Sequence, residues 1–432
     1  MTDFRISPIT HPLRGAISVP ADKSISHRAA ILSALADGDT RVENFLPSQT
    51  THATVNCLRA LGTDIEQPDA ITLIVHGSGL RSLREPSDIL FCAGSGTTMR
   101  LLAGVCAGQD FLSILDGTPA LKRRPMARVA EPLRAMGAAI LARDDNRLPP
   151  LAIRGGALHG IDYTLPVASA QVKSAILLAG LFADSPTTVR EPSLSRDHTE
   201  RMLSAYGVEI RNSKFEIRLD PISKFRMPNL EIKIPADFSS AAFFIVAALL
   251  APDSEICLEH VGVNPTRTGL LDALARMGAP VQTENPREES GEPVADLTVR
   301  TAELRATQVP GAEVPRMIDE FPIFAVAATQ AQGETLVRDA QELRVKESDR
   351  IATLAQELRK MGAQIEERAD GFVIAGPTPL HAARVAAHND HRLAMSLAIA
   401  GLLARGETVV EGWECVADSF PDFELVIRAL AR

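Results

Sequence analysis

The stretch "CLRALGTDI" at residues 57–65 decides how this chain is built. Its apolar residues fall at helical spacing, its Gly62 stands where a helix ends in the left-handed C′ position, and a strand opens behind it. The pattern returns as "PLRAMGAAI" (132–140), "MLSAYGVEI" (202–210), "ALARMGAPV" (273–281) and "ELRKMGAQI" (357–365). Ahead of each runs a second signature of helix end, Gly or Pro turn and strand: "ADGDTRVENF", "CAGQDFLSIL", "FADSPTTVRE", "APDSEICLEH", "AQGETLVRDA" and, a sixth time, "ARGETVVEGW". The chain therefore reads as six α/β units, each helix, strand, helix, then further strands. The sixth is cut short at "VIRALAR" (426–432), while residues 4–24 resemble residues 151–171. The first twenty or so residues are thus expected to complete the last unit, bringing both termini into one domain.

At 432 residues and 45% hydrophobic, the chain calls for two domains rather than one core. A net charge of -9 argues against nucleic acid or an anionic membrane as partner. Five scattered cysteines (Cys57, Cys92, Cys106, Cys257, Cys415) with no C-x-x-C pair exclude a disulfide framework and a zinc finger. They fit a reduced cytoplasm, and "MTDFRISPITH" lacks the regions of a signal peptide. No G-x-G-x-x-G or P-loop follows a strand, so dinucleotide and P-loop readings fail.

The first helices of the units begin at "DKSISHR", "GSGTTMR", "SAQVKSA", "DFSSAAF", "IDEFPIF" and "NDHRLAM". Their bodies are almost wholly apolar, as buried helices are. In the first, Lys23, His27 and Arg28 gather as cations where the helix dipole already disfavours them. Parallel central helices would bring such starts together as an anion-binding cleft between two bodies.

These motifs, with "KRRPM", "SRDHTE" and "LRVKESDR", occur in the order and spacing of the 5-enolpyruvylshikimate-3-phosphate synthases, and the resemblance covers essentially the whole chain. It implies an inside-out α/β barrel of two similar domains, each of three repeated βαβαββ units. The crossings fall near Pro20–Ala21 and Pro235–Ala236, giving a first domain of 21–235 and a second of 1–20 plus 236–432. The implied reaction transfers the enolpyruvyl group of phosphoenolpyruvate to the 5-hydroxyl of shikimate 3-phosphate and releases phosphate, with no metal or organic cofactor. The partners are these small molecules alone, the family precedent is a monomer, and the composition points to the cytoplasm.

By match to the family motifs, phosphoenolpyruvate is expected on Lys23, Gly96, Arg124, Gln171, Arg350 and Arg392. Shikimate 3-phosphate is expected on Lys23, Ser24, Arg28, Ser169, Gln171, Arg196, Asp319 and Lys346. Asp319 suits the base at the sugar hydroxyl and Glu347 the acid at the methylene carbon, with Lys23 neutralising charge. The resemblance also implies that glyphosate competes with phosphoenolpyruvate, Gly96 leaving room for its longer chain.

Competing readings are structural. His388 and His391 stand at a spacing a metal could use, but Asn389, Asp390 and Arg392 crowd them and favour a helix cap. Asp237 reads as an N-cap. Arg100 and His198 are candidates to line the cleft, not assigned to it. Gly94 and Ser95, Ala170, Gln49 with Thr50, and Asp418 depart from common family residues. A UDP-sugar enolpyruvyl transferase should carry a cysteine near residue 115, where "FLSILDGTPALKRRPM" has none. A non-catalytic anion-binding relative would gain nothing from Asp319 and Glu347.

Overall fold

A computed structural model describes residues 2–222 and 230–430. Six central helices run through it: α1 (Lys23–Leu35), α2 (Gly96–Ala107), α3 (Ala170–Gly180), α4 (Phe238–Leu250), α5 (Phe321–Thr329) and α6 (His391–Leu403). Five start on a side-chain cap, from Asp22, Ser95, Ser169, Asp237 and Asp390, which satisfies a backbone N–H the first turn leaves unpaired. Asp237 thus caps α4 as the sequence suggests. α5 instead has Pro322 in its first turn, where a missing N–H costs nothing. Their bodies are buried on every side, from Ile25 to Leu35 in α1 and from Phe238 to Leu249 in α4. A second set of helices is amphipathic. In Arg350–Lys360, Ile351, Leu354, Ala355 and Leu358 turn inward, each large one stabilising by about 1.5–3 kcal/mol. The glycines of the repeat (Gly62, Gly137, Gly207, Gly278, Gly362) have φ between +76° and +112°, so each closes its helix in a conformation that a side chain disfavours.

Among the described residues the strands form six sheets, five of four strands and one of three. In the first, Leu230–Lys233 runs parallel to Asp37–Glu43, which pairs antiparallel with Thr72–Ser78, and Asp64–Asp69 closes the edge. The other four-stranded sheets repeat this order, and the three-stranded one lacks the edge strand. The N-terminal residues serve two of them. Asp3–Ile6 pairs antiparallel with Thr408–Glu411, so it supplies the third strand of the last unit. Arg14–Ile17 does not join that unit; it runs parallel to Glu255–Gly262 in the sheet of the fourth. The reason is a strand exchange. Arg14–Ile17 precedes α1 yet joins the fourth sheet, and Leu230–Lys233 precedes α4 yet joins the first. Each exchange gives a three-unit body the strand it would otherwise lack.

The chain divides into two compact bodies. The first comprises Ala21–Pro235 with Glu288–Glu292; the second comprises Met1–Pro20, Ala236–Arg287 and Pro293–Arg432. Glu288–Glu292, which lies in the second domain by sequence, belongs to the first body because Glu292 pairs with buried His198 and the Ser290 hydroxyl accepts from Lys233 N. Each body has its own apolar core, with no residue in common. Among the described residues no helix is long and apolar enough to cross a membrane.

Candidate active site

In the first body the expected residues sit at helix starts and the turns beside them. Asp22 accepts from Ile25 N at 2.9 Å and sets the first turn of α1, where Lys23 and Ser24 lie half-buried. Arg28, one turn on, is buried, and three of its five N–H groups are engaged. Nε donates to Thr199 Oγ1 at 2.7 Å, Nη1 to Ser24 O at 3.0 Å and Nη2 to Ser174 Oγ at 2.8 Å. Burial pushes its pKa down to about 10 against the pull of Glu200 and Asp22, so it remains a cation at neutral pH.

His27 corrects the sequence reading. Burial, helped by the charges of Lys23 and Arg28, pushes its pKa down to about 3, so the imidazole is neutral and adds no charge to the helix start. Its Nδ1 lies 2.7 Å from Thr54 Oγ1, which lies 2.7 Å from Thr98 Oγ1. Thr98 in turn donates to Ser95 Oγ at 2.8 Å, and Ser95 caps α2. A neutral side chain and three hydroxyls therefore tie the Lys23 turn to the Gly96 turn.

Gly96 is buried at the first position of α2. A Cβ there would stand 2.8 Å from Arg100 Nη1 and 3.1 Å from Arg124 Nη1, so two guanidinium groups converge on this backbone. Arg124 is half-buried just beyond a short 3-10 turn, Leu121–Arg123. Gln171 on α3 accepts from Arg100 Nη1 through Oε1 and donates from Nε2 to Thr97 Oγ1 at 2.9 Å. Ser169 caps α3 by accepting from Val172 N. Arg196 is half-buried next to Ser195, whose N–H and hydroxyl donate to Glu191. Lys173, 1% exposed, anchors that loop by pairing with Glu191 at 3.0 Å and Glu200 at 2.7 Å. Burial alone would lower its pKa, but the two carboxylates more than reverse that, and it stays charged.

In the second body the centre is Arg350. It is 1% exposed and pairs with three carboxylates: Nη1 to Asp319 Oδ1 at 3.1 Å, Nη2 to Glu347 Oε2 at 2.8 Å and Nε to Asp390 Oδ2 at 2.8 Å. Burial works against this cation, yet Asp390, Glu347 and Asp319 more than compensate, leaving its pKa raised. Arg392 Nε is 3.5 Å from the same Asp319 oxygen. Lys346 keeps some surface, but the protein packed round its amine pushes the pKa down to about 8; Asp319 pulls upward and Arg350 downward. Asp390 caps α6 through Arg392 N at 3.0 Å, as the sequence favours for this stretch, whereas His388 Nε2 pairs with Glu357 at 2.8 Å and is not part of the cap.

The structure thus gathers Lys23, Ser24 and Arg28 on one helix start, Gly96, Arg124 and Gln171 around Arg100, and Asp319, Glu347, Arg350 and Arg392 into one ion network. Sequence reasoning left Arg100 aside and missed Glu191, Glu200 and Glu292. For Glu191 and Glu200, Lys173 was the available signal, since a lysine on an apolar helix body must find an acid; Glu292 pairs with His198 instead.

The sequence model of the family described as EPSP synthase (3-phosphoshikimate 1-carboxyvinyltransferase) matches residues 8–427. The chain belongs to the EPSP synthase family. It is 53% identical over 427 residues to the 3-phosphoshikimate 1-carboxyvinyltransferase of Desulforudis audaxviator, covering 99% of each chain. The Geobacillus kaustophilus protein of that name is 51% identical over 97% of this chain and 98% of its own. Among solved structures, EPSP synthase from Acinetobacter baumannii superposes with a TM-score of 0.88 at 43% identity, over 99% of this chain and 98% of that one. The enolpyruvyl transferase NikO from Streptomyces tendae shares the fold, at a TM-score of 0.79 and 18% identity over 99% and 96% of the two chains. This EPSP synthase homologue is a transferase, and its reaction class is enolpyruvyl transfer in the shikimate pathway. The UDP-sugar and non-catalytic alternatives have less support.

Proposed function

We propose that the chain joins phosphoenolpyruvate to shikimate 3-phosphate by addition and elimination, and that one pair of substrates engages residues of both bodies. The observation that carries the reading is the Arg350 guanidinium with Asp319 on one nitrogen and Glu347 on another. It sets a candidate base and a candidate acid around one cation, as a reaction that moves two protons requires.

In the addition, Asp319 takes the proton of the 5-hydroxyl as its oxygen bonds to C2 of the enol, and Glu347 gives a proton to the methylene carbon. In the elimination, the resulting methyl group returns a proton to Glu347, the double bond re-forms, and the C2–O bond to phosphate breaks as the proton held by Asp319 passes to the departing oxygen. Lys23 offsets charge on the phosphate that leaves. Arg124, Arg350 and Arg392, with Gly96 and Gln171, hold phosphoenolpyruvate; Ser24, Arg28, Ser169, Gln171, Arg196 and Lys346 hold the sugar phosphate. Guanidinium forks suit both phosphate and carboxylate. The chain works as a cytoplasmic monomer. Release of inorganic phosphate on mixing both substrates with the purified protein tests the reaction; release from phosphoenolpyruvate that does not depend on shikimate 3-phosphate would contradict it.

A further inference from the structure

We propose that Arg100 is a positioning residue that fixes which end of the Gln171 amide meets the substrates, making Gln171 a hydrogen-bond donor to anionic oxygen. The proposal rests on the reading of Gln171 as a substrate contact.

Arg100 lies on α2 one turn past Gly96 and is buried. Its Nη1 donates to Gln171 Oε1, and its Nη2 reaches the carbonyl of Pro125, next to Arg124, at 3.5 Å. A guanidinium can only donate, whereas an amide has one accepting and one donating end. Oε1 must therefore face Arg100; the flipped amide would set NH2 against a buried cation. With that end held, Nε2 points to Thr97 Oγ1 at 2.9 Å, and its second N–H has no partner among the described residues. Phosphate, carboxylate and ether oxygens are all acceptors, so this orientation is the useful one. Arg100 also stands beside the Gly96 turn together with Arg124, so it lies next to a second group expected to hold substrate.

Steady-state kinetics on the full chain tests this with Q171A, R100M, R100K and the R100M/Q171A double variant. We expect Q171A to raise KM for one or both substrates. R100M should raise the same KM about ten- to hundredfold, the range for a charge-assisted hydrogen bond, with a much smaller change in kcat. R100M/Q171A should be no worse than the poorer single variant, and R100K, still donor-only, should recover most of the loss. Full additivity of R100M on Q171A would overturn the proposal, because Arg100 would then act without Gln171. An unchanged KM in Q171A would instead remove Gln171 from the substrate contacts, and the role of Arg100 with it. Should R100M not fold, wild-type protein labelled with 15N-glutamine decides. The Gln171 NH2 protons should show NOEs to the Thr97 methyl group, and NOEs to the Arg100 guanidinium in their place would overturn the assignment.

Discussion

Arg350 Nη1 donates to Asp319 Oδ1 across 3.1 Å, inside a network that holds the carboxylate in place without burying it fully. Asp319→Asn keeps an oxygen for Arg350 but cannot take the hydroxyl proton. Turnover should fall by ~10²–10⁴-fold while substrate binding stays measurable. Near wild-type kcat in this variant would take Asp319 out of the base role.

Lys346 should make sugar-phosphate binding sensitive to alkali. Its amine titrates at about 8 in the folded protein, so the positive charge offered to the phosphate is lost as pH rises through that value. Folding stability responds with the opposite sign. From about 8 up to the ordinary lysine range the unfolded chain binds the extra proton, so this group makes stability rise with pH. Titration calorimetry should show shikimate 3-phosphate affinity falling above pH 8 in wild type and much less in Lys346→Arg. Equal slopes would assign the pH dependence elsewhere.

His27 predicts acid sensitivity. With a folded pKa near 3 against 6.5 unfolded, only the unfolded chain takes up this proton in between. Stability is therefore lost as pH falls below 6.5, at up to about 1.4 kcal/mol per pH unit. Glu200, whose pKa burial raises despite Lys173, works in the other direction. Thermal unfolding at pH 7 and pH 5 should show a smaller acid loss in His27→Gln than in wild type; identical losses would count against a neutral buried imidazole.

Gly96→Ala adds a methyl group that meets Arg100 Nη1 at 2.8 Å and Arg124 Nη1 at 3.1 Å. Both side-chain ends must give way, so KM for phosphoenolpyruvate should rise. Inhibition by glyphosate, the longer ligand, should weaken more than substrate does. The same loss for both ligands would place the wall of the pocket elsewhere.

The cations should also sort by substrate. Arg124→Met and Arg392→Met should each weaken phosphoenolpyruvate by roughly 1.5–3 kcal/mol and leave shikimate 3-phosphate alone. Arg28→Met should weaken the sugar phosphate first and lower the melting temperature too, since Arg28 also ties Ser174 and Thr199 to α1. Lys23→Met should harm both binding and turnover. Calorimetry on the four variants checks this; a loss of sugar-phosphate affinity in Arg124→Met as large as in Arg28→Met would refute the division.

Read alone, the sequence determined what is local. Helix ends at Gly62 or Gly362, caps at Asp22 and Asp237, and buried bodies such as Phe238–Leu250 follow from spacing and residue type within a few positions of the chain. The motif order likewise exposed the six units and the family. What it could not decide depends on residues that only folding brings together. Arg14–Ile17 finds its partner strand at Glu255–Gly262, not in the last unit, because each body is closed by a strand exchanged from afar. His27 looks like a third cation in sequence but is neutral, since burial and two neighbouring charges set its proton equilibrium. Lys173 stands inside a motif of an apolar helix, but its partners Glu191 and Glu200 are identified only by distances of 3.0 and 2.7 Å. Arg100 and Gln171 lie 71 residues apart, and no periodicity links them. Propensity and capping act along the chain, whereas protonation and ion pairing are set by desolvation and by partners across it.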